Sequence, residues 1–242
     1  PDVAKTYENG YKEKARHITP EEFLEVYAEL GYDYAYHTYT PSTGKGNMLS
    51  YSVSDDGYRI IMIDSGKYSS DLTDDGTDIG ETSGAISEEF TQWLFDEIAD
   101  AKANGEVPLG VVHHNLVPHF HNEYKIMKGF NIDGWQELSE KLADAGMNFS
   151  FTGHIHMNDI AQTVSDNGET LTEVCVSSLT SFPNFFREFE MTTDNTGKTE
   201  LDVETFDVDC VLPVTVNGET FEQPFRVESI KRTYFDETGC AG

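Results

Sequence analysis

Six of the chain's eight histidines fall between positions 113 and 156: His113, His114, His119, His121, His154 and His156. They form two groups. The first is a His-His pair with His119 and His121 just downstream, and the second is the Gly-His-x-His run at residues 153–156. Neutral imidazole is a good ligand for zinc, iron or manganese, whereas copper sites favour added sulfur. An extended backbone at 154–156 directs both imidazoles to one side and turns Ile155 inward. Gly153 then allows a positive φ or a close backbone approach. His113 or His114 supplies a third nitrogen, enough to hold one ion or to reach two adjacent ions. A lone His-x-His is usually two surface residues, and His121 reads as loop polarity. The two groups together are the specific signal.

Both groups stand where an apolar run ends. The run at 107–112 (VPLGVV) leads into His113, and the run at 148–151 leads into Gly153. Between them the pattern predicts a helix over 134–145, capped by Asp133, ended by Gly146, with Trp135, Leu138, Leu142 and Ala145 inward. Strands joined by one helical crossover tend to lie side by side, and their loops emerge at one sheet edge, where α/β sheets carry their sites. Upstream, Ser87 caps a helix with Phe90, Trp93, Leu94, Ile98 and Ala101 on one face. Residues 47–53 and 58–64 read as a hairpin about Asp55-Asp56-Gly57. Thr19-Pro20-Glu21-Glu22 starts a helix through a capping box, with Phe23, Val26, Tyr27 and Leu30 at helical spacing before Gly31. From about residue 160 the pattern is strand-rich. The acidic loop at 71–84 fails the calcium-loop spacing, since position twelve is Thr82.

The 242 residues suffice for one large domain or two small ones, and 38% hydrophobic content is globular rather than disordered. Sixteen basic against 44 acidic residues give a formal charge of −28. A field of that sign repels nucleic-acid backbones and anionic lipid. A phosphorylated substrate would therefore need a local positive centre, which a metal supplies. The sequence carries no apolar run of the ~18 residues a membrane span needs and no secretory signal pattern. Its acidity suits an exported or cell-surface bacterial protein and leaves the cytoplasm open. Cys175, Cys210 and Cys240 match no zinc ribbon or Cys-x-x-Cys. Cys175 reads as a small core residue, and Cys210 with Cys240 could pair in an oxidising compartment.

The blocks VVHHNLVPH (111–119) and FTGHIH (151–156) resemble the last two metal-binding blocks of calcineurin-like metallophosphoesterases. The helix-then-strand approach at 84–114 and the segment SSLTSFPNFFREFE (177–190) are similar too, so the likeness spans about residues 45–205. It implies an α/β layered fold, a β-sandwich flanked by helices, with two divalent ions (manganese, iron or zinc) at the sheet edge. By position, His113 and His154 would bind one ion, with His114 as the alternative to His113, and His156 the other. Such enzymes hydrolyse phosphomono- or diesters with water activated by the ions, which also neutralise phosphoryl charge. His119 would then assist the leaving group or touch the phosphate, and Arg187 would face it unless it pairs with Glu188 or Glu190.

The family's earlier blocks, Asp-x-His, Gly-Asp and Gly-Asn-His-Asp/Glu, do not occur in the sequence. The likeness therefore places residue 1 just after them. It makes 1–205 the carboxyl-terminal part of the catalytic domain, incomplete at its N-terminus, and 206–242 a strand-rich extension. Without carboxylate ligands two divalent cations repel each other, so the expectation is one weakly bound ion, no enzymatic turnover by this chain alone, and a possible partner in the missing N-terminal half. Two other readings compete. One is a single-zinc hydrolase with Asp159 or Glu123 as base. The other is an acidic binding or surface domain in which the histidines are incidental.

Overall fold

The computed structural model describes residues 4–6, 12–14, 18–67, 81–179, 185–207, 214–216 and 219–221. The chain divides into two compact units. One comprises Pro1–Ile155 with Asp159–Cys175, and the other His156–Asn158 with Val176–Gly242.

In the first unit the order is hairpin β1–β2 (Ala4–Thr6 and Lys12–Lys14), helix α1 (Pro20–Val26), then β3 (His37–Thr38), β4 (Tyr51–Asp55) and β5 (Tyr58–Ile63). Hairpin β6–β7 (Gly66–Lys67 and Glu81–Gly84), α2 (Glu88–Ala103), β8 (Val107–Val112), α3 (Glu123–Ile126) and α4 (Trp135–Ala145) follow. Strands β9 (Phe149–Thr152), β10 (Asp159–Val164) and β11 (Thr170–Cys175) complete the unit. The second unit holds two antiparallel hairpins, β12 (Phe185–Thr193) with β13 (Thr199–Asp207), and β14 (Val214–Val216) with β15 (Glu219–Phe221). The expected boundary after residue 205 falls within β13.

The protein is thus an α/β chain with a seven-stranded mixed sheet packed by helices, plus small hairpins. The sheet order is β10-β11-β9-β8-β5-β4-β3. Its centre is parallel, β5 with β8, β8 with β9 and β9 with β11, and its edges are antiparallel. The two parallel steps β5–β8 and β8–β9 arise because α2 and α4 each cross over one face. That face carries the core: Ile61, Ile63 and Val112 pack with Phe90, Leu94 and Ile98 of α2 and Leu138, Leu142 and Ala143 of α4. Each of these side chains apart from Ala143 contributes about 1.5–3 kcal/mol by leaving water. Gly110 has its reason here, because a Cβ would stand 3.0 Å from the Met147 thioether.

An arginine is also enclosed on this face. Arg59, fully buried, pairs with Glu97 and Asp100 of α2 at 3.0 Å each. Glu106 Oε2 lies 2.6 Å from its Nη2 in ion-pair contact without hydrogen-bond alignment. The Tyr36 ring lies 4.0 Å from its guanidinium carbon. The set fastens β5 to α2.

The sequence expectations fare unevenly at helix ends. The capping box of α1 forms, Thr19 accepting from Glu22 N and Glu22 from Thr19 N. The helix nevertheless ends at Val26, and Val26 and Leu30 are exposed, so its apolar face is narrower than the spacing suggested. Helix α4 has Gly134 in the left-handed region (φ 70°) as its N-cap instead of Asp133. Asp133 pairs with Lys67 at 2.7 Å. Cys175 is buried, as its apolar setting implied, and its thiol donates to Gly153 O at 3.3 Å. The loop positions 71–80, Cys210 and Cys240 lie outside the described residues. Among the described residues no helix is long and apolar enough to cross a membrane.

Candidate metal centre

Strands β8 and β9 are paired in parallel, Leu109 opposite Phe149 and Val111 opposite Phe151. Their C-terminal ends therefore leave the sheet at one edge, and Gly153 N prolongs the ladder to His113 O at 3.2 Å. This brings together imidazoles 41 positions apart: His113 Nε2 lies 2.9 Å from His154 Nδ1. The His114 ring joins them, its centroid 5.2 Å from that of His113 and 4.7 Å from that of His154. The chain bends at 113–114, which is how adjacent residues present their rings to one place.

The surroundings fix the rings. Phe130 stacks on His154 with centroids 4.3 Å apart. His114 is buried, and its Nδ1 is 2.7 Å from the Ser65 hydroxyl. Gly84 lies against His114 so closely that a Cβ would meet the ring at 2.6 Å. Asn115 donates to Thr152 Oγ1 at 2.9 Å and to Glu173 at 3.1 Å, tying the start of the loop to β9 and β11.

The backbone at the second histidine group departs from the extended form expected. His154 and His156 both adopt left-handed φ values of 56°, while Gly153 does not. Ile155 N donates back to Gly153 O at 2.6 Å, closing a tight turn. A Cβ on Gly153 would meet its neighbour at an ordinary 3.9 Å, so this glycine is not required for close approach. Ile155 is buried as expected. Left-handed backbone at a non-glycine residue costs on the order of 1–3 kcal/mol and clusters at functional sites. Histidine is among the residues that tolerate it better. His156 belongs to the second unit with Met157 and Asn158.

His119 has a setting that its loop position does not suggest. Its side chain is 0% exposed. The ring lies between Asp159 Oδ2 and Glu173 Oε1, 3.0 Å from each, and its backbone N donates to Glu123 Oε2 at 2.6 Å. With a carboxylate at each ring nitrogen the doubly protonated imidazolium satisfies both. Burial opposes that charge, but the hydrogen bonds and charges of Glu173 and Asp159 outweigh burial and raise the His119 pKa. Glu123 is fully buried, and burial raises its carboxyl pKa too. Asp159 and Glu123, the candidate bases of a single-zinc reading, are thus committed to His119. Arg187 lies in β12 opposite Thr205, within the second unit.

The donor set fits one cation in part. Two nitrogens 2.9 Å apart, with metal–nitrogen bonds of about 2.0–2.1 Å, subtend about 90° at an ion. That is narrower than the tetrahedral angle zinc prefers, and at this separation one ring nitrogen can donate a hydrogen bond to the other. Among the described residues no group of three or more His, Cys, Asp or Glu side chains is arranged to hold a metal ion.

Phe130, a neighbour of the pair, comes from an unpatterned loop and left no signal in the sequence. Asp64-Ser65-Gly66 is legible as a strand end, without the histidine of an Asp-x-His block, and it follows β5, whose Ile63 pairs with Val112. Asp64 accepts from Gly66 N at 3.0 Å and Leu49 N at 3.2 Å. No protein-family model matches the chain, and no curated protein matches it significantly.

Proposed function

We propose that His113 and His154 hold a divalent cation (manganese, iron or zinc) at the β8–β9 edge, and that this chain carries the histidine-rich part of a phosphoester-hydrolysing centre. One observation carries the reading: the 2.9 Å approach of two imidazole nitrogens from neighbouring parallel strand ends. A turn with left-handed backbone at His154 supports it.

When bound, the cation supplies Lewis acidity, a hydrolytic water of lowered pKa, and the positive charge that a −28 chain needs to attract a phosphate. His113 and His154 bind it through neutral nitrogens. Phe130 keeps the His154 ring from rotating away, and Ser65 with Gly84 fixes the neighbouring His114 ring. His119 is a positioning residue, since its ion pairs anchor the loop that begins at His113 to β10 and β11. A second divalent ion would need carboxylate ligands to offset the repulsion between the two cations, and the chain alone is expected to bind one ion weakly, without enzymatic turnover.

Isothermal titration with manganese and zinc tests the reading. The chain is expected to bind about one ion, and His154→Ala and His113→Ala each to lose it, with turnover of p-nitrophenyl phosphate absent throughout. Equal affinity in wild type and His154→Ala refutes the site. Rapid manganese-dependent turnover by the wild type refutes the one-ion account.

A further inference from the structure

The sheet face opposite α2 and α4 is also apolar. By register Met62, Val111 and Phe151 lie side by side on it, across β5, β8 and β9. Helix α1 and the segment after it lean over this face and leave an open cavity of about 550 Å³. Phe23 and Tyr27, stacked at 4.3 Å, line one side, and Tyr32 and Tyr51, 4.5 Å apart, line another. The cavity is bounded at the sheet edge by Thr152, Gly153 and His113, so the residue whose imidazole faces His154 also borders the cavity. Its volume lies within the ~300–1,000 Å³ range of small-molecule sites, and its lining is mostly apolar and aromatic as theirs is.

We propose that this cavity binds the uncharged aromatic or branched-aliphatic group of a phosphate ester whose phosphoryl end is held at His113 and His154. The inference rests on the proposed metal reading and adds the substrate class. One observation favours an uncharged group over a cation: among the described residues Asp64 is the one carboxylate in the lining, and it already accepts two backbone N–H bonds. The apolar group also offsets a cost, because a chain of charge −28 repels a free phosphate monoanion or dianion. Burying a ring recovers binding free energy that the phosphate end lacks.

The test uses the full chain and fluorescence titration with 2-naphthol and 2-naphthyl phosphate, each with and without manganese. Naphthol is expected to bind saturably without metal. Leu30→Asp and Tyr27→Ala, both at exposed positions of the lining, are expected to weaken it by about tenfold, with circular dichroism unchanged. His154→Ala is expected to leave naphthol binding intact and to abolish the gain that manganese gives naphthyl phosphate. Absence of saturable naphthol binding, or equal binding by both variants, overturns the cavity assignment whatever calorimetry says of the metal. If naphthol binds, and manganese binds, yet naphthyl phosphate gains nothing from the ion, the phosphate-ester assignment fails. Stronger competition by tetramethylammonium than by cyclohexanol overturns the uncharged class.

Discussion

Removing the Glu173 carboxylate should be among the most damaging single changes in this chain. Glu173 is fully buried, and four donors converge on it: His119 Nε2 at 3.0 Å, Asn115 Nδ2 at 3.1 Å, Leu116 N at 2.8 Å and Ser150 Oγ at 3.4 Å. Breaking a buried ion pair by deleting one partner costs roughly 3–5 kcal/mol. The orphaned Leu116 N–H adds about 1–3 kcal/mol, less whatever water entering the void recovers. Glu173→Ala is thus expected to cost about 5 kcal/mol, a fall in Tm on the order of 10–20 °C at 2–4 °C per kcal/mol. The pH dependence gives an independent readout. The His119 pKa is raised on folding, so its contribution is fully present below the unfolded value of about 6.5 and is lost as pH rises through the higher folded value. Glu123 is raised as well and acts in the same direction from about 4.5 upward. Wild type should therefore lose stability from pH 6 to pH 9. Glu173→Gln, which keeps the shape and removes the charge facing His119, should lose less over that interval. Urea denaturation of both proteins at several pH values measures the difference. Parallel curves for the two, with a Tm change under about 3 °C for Glu173→Ala, would refute the account of this network.

Arg59→Ala leaves Glu97 buried without its guanidinium partner and is expected to cost about 3–5 kcal/mol, read as a lower urea midpoint. Asp100→Asn, at a 40% exposed partner of the same arginine, should cost under about 1 kcal/mol. Gly84→Ala places a methyl 2.6 Å from the His114 ring and is expected to destabilise by about 1–3 kcal/mol. It should also shift the His114 and His154 imidazole resonances in proton–nitrogen spectra, and an unshifted His154 would show that the rings do not pack as described.

The sequence by itself determined the parts with a period or a local rule. The apolar runs before His113 and Gly153, the face of α2 and the capping box of α1 were all legible, because strand and helix periodicity and capping act within a few residues. Crossover logic also determined that two histidine groups would meet at one sheet edge, since a helix between two parallel strands leaves little choice of neighbour. Tertiary structure alone decided which nitrogens approach. The left-handed φ values at His154 and His156, with Gly153 outside that region, also had no mark in the spacing. The enclosure of His119 depends on Asp159 and Glu173, 40 and 54 positions away. Its loop position suggested a group that assists the leaving group or touches the phosphate. Carboxylates from distant strands instead enclose its ring and favour the protonated form, and such convergence leaves no trace in spacing.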